Sequence, residues 1–393
     1  MKLKRSGYIF DQQQTLNRKI SDEIILKTVN SKSLLKTFYR LPFTIYKNNS
    51  YWVPPLWKEI LNFCKRNNPF WQHADMQMFI AYKKQQPVGR IAAIIDFNLP
   101  KETQKRIGYF GLFECIDDGR IASQLFDAAQ SWLQSKKIDI MRGPINGRID
   151  LGSGLVIKGF HSIPFLMGTY NPEYYHRFFK QYQMKKSRDL LSYLIDIRQP
   201  ISKEMEKTKE KCEKAGIKIR PFNRWRFKRD IRLWYGLLLE VFADHYGYTP
   251  SSQAEMERTF GIKELRLLMN PRLFLFAELK GETIGFRFSL PDYNPIIKTF
   301  GGKIGINGFF QFLKQIRSLD RGRFIVMGIK KDHRGLGIGT TMNYYTLLEM
   351  KHKGYKTAEY GWIDETNIGS RKAGEKMGGI IYKIYRVFEK NIS

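Results

Sequence analysis

Apolar positions fall into short runs bounded by glycine, proline and charged turns, and these alternate with stretches of helical spacing. The runs predict strands over 109–115, 190–197, 324–329, 360–363 and 380–389. Helical spacing predicts helices over 122–133 and 232–242, and another ending near Gly354. Two segments share one hairpin pattern, FIAYKKQQPVGRIAAI from Phe79 and FLFAELKGETIGFRF from Phe274: an apolar strand, a polar turn, then an apolar-glycine step into a second strand. Ala81 and Gly89 are separated as Ala277 and Gly285 are, and each pair is offset by 196 residues. Asn171 and Asn367 repeat that offset, each ahead of a helical stretch and a closing strand. A period of this size implies a duplicated domain, with halves at 1–197 and 198–393. The join, ISKEMEKTKEKCEKAGIKIRPF, reads as a helix stopped at Gly216 and followed by a strand.

The second half carries RGLGIG at 334–339, between the 324–329 strand and the helix ending near Gly354. A strand, a glycine turn and a helix start together place unpaired NH groups and a positive helix end where an anion can bind. Glycines there admit phosphate oxygens close to the backbone, and Arg334 adds a fixed positive charge. The third glycine is out of register for a dinucleotide fingerprint, and the Gly-Lys-Ser/Thr of a nucleotide-triphosphate loop is absent. The remaining form, R-x-x-G-x-G, resembles the coenzyme A loop of GNAT-type N-acetyltransferases. VMGIKKDHRGLGIG from Val326 and TNIGSRKAGEKMGGIIYKIYRVFEK from Thr366 match that family's loop block and downstream block in order. GPINGRIDLGSGLVIKGF, YNPEYYHRFF, YWVPPLWKE and GYTPSSQAE resemble a little-characterised bacterial tandem-GNAT branch.

The resemblance implies an α/β (α+β) fold with a mixed sheet, in two tandem GNAT-like acyl-CoA N-acyltransferase domains, with acetyl-CoA or another acyl-CoA as cofactor. Matched onto this sequence, the cofactor-binding positions are Met327, Gly328, Ile329, Arg334, Gly335, Gly337, Ile338, Gly339, Thr340 and Asn367, and a backbone NH within 327–329 is the expected oxyanion donor. The first half has IDDGRIAS at the corresponding turn, where Asp117 and Asp118 repel a pyrophosphate, so it is expected to have lost that site.

An amine acceptor is an ammonium near neutral pH and attacks a thioester only after losing a proton. Glu365, beside the 360–363 strand, and His245, beyond the 232–242 helix, are the candidate bases. The leaving thiolate needs an acid. The tyrosine that many GNAT enzymes carry seven residues after the downstream asparagine is Gly374 here, which leaves Tyr385, Tyr382 or water. An odd step separates the two tyrosines, so on one strand they face opposite ways. His333 is expected to face solvent.

Composition changes the picture in two respects. A formal net charge of +30, from 67 Lys and Arg against 37 Asp and Glu, favours acidic partners. Those open are acyl carrier protein, an anionic membrane surface and, less well, nucleic acid. The three cysteines are far apart, which suggests neither a disulfide framework nor a metal site. No apolar run reaches membrane-spanning length, so a cytoplasmic protein is expected, with a peripheral place at a membrane also open. Beside a transferase acting on a small-molecule or lipid amine, two readings stand: a Fem-type aminoacyl-tRNA-dependent ligase, and a non-catalytic CoA-sensing or nucleic-acid-binding protein.

Overall fold

In the computed structural model the described residues are 19–21, 24–65, 67–102, 104–149, 152–243, 245–260, 269–303 and 305–393. The strands are β1 (Lys19–Ser21), β2 (Ile24–Thr28), β3 (Ala74–Lys83), β4 (Gln86–Asp96), β5 (Ile107–Cys115), β6 (Ile140–Gly143), β7 (Leu155–Lys158), β8 (Lys185–Asp196), β9 (Lys218–Pro221), β10 (Phe274–Leu279), β11 (Glu282–Pro291), β12 (Arg321–Ile329), β13 (Thr357–Asp364) and β14 (Ile380–Asn391). The α-helices are α1 (Lys32–Ile45), α2 (Trp57–Phe63), α3 (Gly119–Ser135), α4 (Tyr175–Gln181), α5 (Lys203–Lys214), α6 (Phe227–Phe242), α7 (Gln253–Phe260), α8 (Asn294–Thr299), α9 (Ile306–Gln315), α10 (Ile338–His352) and α11 (Ile368–Lys376).

The chain forms two compact units, and neither is continuous in sequence. The first comprises 1–189, 294–311 and 385–393; the second comprises 190–293 and 312–384. In the first, strand order is β1-β2-β3-β4-β5-β6, followed by the end of β14, whose Phe388 pairs with Gly143. All these pairs are antiparallel except β5–β6. Phe110, Phe113, Phe126 and Phe179 form the centre of its core, between the sheet and α3 and α4.

In the second unit the order is β9-β10-β11-β12-β13, then the 190–196 part of β8, with only β12–β13 parallel. Phe324, Leu347, Met350, Ala358 and Tyr360 join sheet and α10 in one core cluster. The repeated hairpin appears in both units. Ala81 faces Gly89 across β3–β4 and Ala277 faces Gly285 across β10–β11, with a register shift immediately after each alanine. Matching bulges at equivalent positions are what a duplicated domain leaves behind, since bulges are specific backbone features.

The helix expected to stop at Gly216 and the strand after it are found as α5, ended by Gly216 at φ +81, and β9, both inside the second unit. Ser202 caps α5 by accepting from Met205 N at 3.2 Å.

Candidate active site

In the second unit, β12 and β13 pair only from Arg321↔Thr357 to Phe324↔Tyr360. β12 continues to Ile329 and β13 to Asp364, so the two strands part beyond that point. The parting coincides with a bulge on β12: Phe288 faces Val326 while Ser289 faces Phe324, which leaves Ile325 as the extra residue. Lys330 N donates to Ile284 O at 2.9 Å, and the antiparallel alternation from that bond turns Gly328 toward β11 and Met327 and Ile329 away from it. Of the three expected oxyanion positions, the NH groups of Met327 and Ile329 therefore face the gap. That of Gly328 is turned into the ladder.

The 334–339 loop follows. Arg334 Nε donates to Ile329 O at 3.1 Å, which fixes the exposed guanidinium at the end of β12. Gly337, at φ +82, is the N-cap of α10; no side chain caps this helix and its first turn holds no acidic residue. The helix end is therefore open to an anion. The glycines have separate causes. A Cβ on Gly335 would meet nothing within 4 Å, one on Gly337 would lie 2.6 Å from Thr208 Cγ2 of α5, and one on Gly339 would lie 3.1 Å from Met327 Cε. Gly337 is thus required for packing on α5, whose Cys212 thiol also donates to Leu336 O at 3.1 Å.

His245 shares a cavity of about 280 Å³ with Glu240, Val241, Lys330, Lys331 and Arg334, so the structure brings it to the cationic end of the loop. Lys330 is itself paired with Glu282 at 2.7 Å. Asn367 caps α11 by accepting from Ser370 N at 3.0 Å. Glu365 is partly exposed in the turn after β13, and its carbonyl accepts from Arg371 Nη1 at 3.2 Å. Tyr385 belongs to the first unit and is fully buried there, its Cβ against Gly154 and its hydroxyl close to Gly168.

A buried charged cluster went unseen in the sequence. Arg323 and Glu359 are cross-strand partners one step below the parting, with 3.3 Å between Nε and Oε1. Tyr382 donates to Glu359, and the Trp362 ring lies 5.2 Å from the Arg323 guanidinium. Burial pushes the neighbouring Lys383 ammonium down to about 8, partly offset by Glu359. By strand alternation this cluster lies on the sheet face opposite α10, whereas Phe324 and Tyr360 face the helix. On the helix side, Arg287 stacks over Phe324 and Tyr360 at 4.4 and 5.1 Å. Charged side chains within otherwise apolar strands were the available signal.

The first unit closes the corresponding places with its own residues. Leu112 N donates to Asn146 Oδ1 at 2.7 Å and Ile145 N to Phe110 O at 2.8 Å, so the chain after β6 runs along β5. The N-terminus of α3 is capped by Asp118, which accepts from Arg120 N at 3.0 Å and pairs with Lys83 at 3.3 Å. The Tyr-rich motif is structural: Tyr174 donates to Cys115 O, Tyr175 donates to Glu114 and accepts from Cys115 N, and Asn171 bonds both backbone groups of Val156.

No protein-family model matches the chain. A bacterial ceramide synthase from Caulobacter vibrioides is 28% identical over 370 residues, 92% of this chain and 96% of that protein. A tandem GNAT protein from the clavulanic acid biosynthesis pathway superposes with a TM-score of 0.55 at 11% identity, over 94% of this chain and 99% of that one. A GCN5-related glucosamine N-acetyltransferase region of a fungal multi-domain β-N-acetylglucosaminidase superposes with a TM-score of 0.59 at 13% identity, over 94% of this chain; this chain spans 38% of the fungal protein.

Proposed function

We propose, from a chain that folds as a tandem GNAT protein, that it is an N-acyltransferase whose second unit binds acyl-CoA and whose acceptor is a long-chain amine. The observation that carries the reading is the parting of β12 and β13 next to an uncapped, glycine-led helix end. The fit is chemical. The NH groups at the start of α10 and Arg334 would hold the pyrophosphate, and the open edge of β12 would take the extended, amide-bearing arm of the cofactor.

In the transfer itself, the amine nitrogen forms a bond to the thioester carbon and the carbon–sulfur bond breaks. One ammonium proton is lost before attack; the attacking nitrogen loses a second as the tetrahedral intermediate collapses to the amide, and the leaving thiolate takes up a proton in exchange. The NH of Met327 or Ile329 supports the oxyanion between these events. The Arg323–Glu359–Tyr382 cluster and Lys383 supply acid and base groups on the other face of the same strands. The acceptor class rests on the relative named for ceramide synthesis, which is N-acylation of a long-chain amino alcohol.

The test is to incubate the purified protein with palmitoyl-CoA and a long-chain amino alcohol, measuring released thiol and amide by mass spectrometry. Equal amounts of amide and thiol are expected, both lost in Arg334→Glu. Thiol release unchanged by that substitution would overturn the placement of the cofactor, and amide formed only with short polar amines would overturn the acceptor class.

A further inference from the structure

Trp225 is the outlier of the second unit's surface, 93% exposed where large apolar side chains are normally covered at least in part. It is not on a loose loop. The turn Arg224–Arg226 is built by Asn223, whose side-chain oxygen accepts from Trp225 N at 2.9 Å and Arg226 N at 3.2 Å. Asn223 N in turn donates to Asp230 at 2.9 Å, and Arg220 grips the same carboxylate with two bonds, at 2.8 and 3.2 Å. The backbone that presents the indole is therefore fixed by a turn anchored on the buried Asp230 carboxylate.

The surrounding charge is one-sided. Arg226, Lys228, Arg229 and Arg232 are exposed, and among the described residues none of the four enters an ion pair. Asp230 is the single acidic residue between 222 and 239, and it is buried and already bonded to Arg220. Asp230, Trp234, Leu237 and Val241 form the buried stripe of α6. Lys228, Arg229 and Arg232 fall on the opposite face at helical spacing. A tryptophan beside a cluster of unpaired cations matches the interface of an anionic bilayer, where the ring lies at headgroup depth and the cations meet lipid phosphates.

We infer that the turn at Trp225 and the adjoining face of α6 form a membrane-docking surface for anionic lipid. Among the described residues no helix is long and apolar enough to cross a bilayer, so the attachment is interfacial. α6 runs from this surface to the His245–Arg334 cavity, about 24 Å along the helix axis. A bilayer-resident acceptor would thus be presented to the unit that holds the proposed site. The docking inference does not depend on the transferase reading, because binding is measured without turnover.

The experiment sediments the full-length protein with vesicles of phosphatidylcholine alone and of phosphatidylcholine with 30% phosphatidylglycerol, at 0.1 and 0.5 M salt. Binding is expected to the anionic vesicles and to weaken with salt. Trp225→Ala is expected to lower partitioning about tenfold, and Lys228→Glu with Arg229→Glu by about 25-fold or more, at roughly fivefold per cation. Trp225→Phe should keep most of the binding. Both substitutions lie on the surface, and an unchanged melting temperature separates lost docking from misfolding. Variants that bind anionic vesicles like the parent overturn the assignment. So does tRNA that displaces the parent from vesicles at equal ionic strength with the same sensitivity to Lys228 and Arg229 and none to Trp225, since the patch is then a nucleic-acid surface.

Discussion

Replacing Gly335 with aspartate separates charge from packing at the 334–339 loop. A Cβ at 335 meets nothing within 4 Å, whereas at 337 it meets Thr208 Cγ2 at 2.6 Å. Gly335 has φ +84, so any L side chain there costs roughly 1 kcal/mol in strain. Alanine brings the strain alone. Aspartate adds a negative charge beside the open end of α10, where the account puts a doubly charged pyrophosphate. At a separation of about 6 Å the repulsion is about 1.4 kcal/mol in water and about 5.5 kcal/mol at an effective dielectric constant of 20. The loop is exposed, so the lower figure is the safer guide, and it corresponds to about tenfold in affinity. In a calorimetric titration with CoA, Gly335→Ala should bind within about threefold of the parent and Gly335→Asp at least about tenfold more weakly, with the gap narrowing in high salt. Equal affinity of the two variants would refute a pyrophosphate at this helix end.

Gly337→Ala should instead lose roughly 2 kcal/mol of stability, from the Thr208 contact and its positive φ; urea unfolding checks this, and a change below about 0.5 kcal/mol would contradict the packing role. Asp118→Ala should cost about 1 kcal/mol as a lost helix cap without creating a second CoA site, because Ile145 and Asn146 still occupy the edge of β5; a gained site in native mass spectra would contradict this. Lys383 has a folded pKa of about 8, below its ordinary value of 10.5 because of burial. The unfolded chain then binds more protons between those values, so this group's contribution to stability rises with pH across that window. Relative to Lys383→Met, the parent's unfolding free energy should gain about 1.6 kcal/mol between pH 8 and 9.5, and a fall over that range would contradict the depressed pKa.

The duplication was legible because the hairpin carries small residues at fixed places. Ala81 faces Gly89 and Ala277 faces Gly285, and a shared offset survives where most side chains have changed. The loop was legible because positive φ at Gly335 and Gly337 leaves a mark in residue type. The reason for Gly337 was not, since Thr208 lies far off in sequence and its contact exists only once α5 packs on α10. The strands at 190–197 and 380–389 could be predicted from apolar content, but alternation along a strand says nothing about which neighbours it joins. β8 thus begins in one unit and continues in the other, and β14 does the reverse. That division also takes Tyr385 out of the second unit. Glu359 and Lys383 escaped notice because each sits singly in an apolar run, and only the cross-strand register brings Arg323 and Tyr382 to the same carboxylate.

A single acyl-CoA site, built by the second unit, is measurable by native mass spectrometry of the intact protein titrated with acyl-CoA. Saturation at one cofactor per chain is expected, retained in Gly335→Ala and shifted to at least about tenfold higher cofactor concentration in Gly335→Asp. Two cofactors per chain, or one that persists in Gly335→Asp at unchanged affinity, would contradict it.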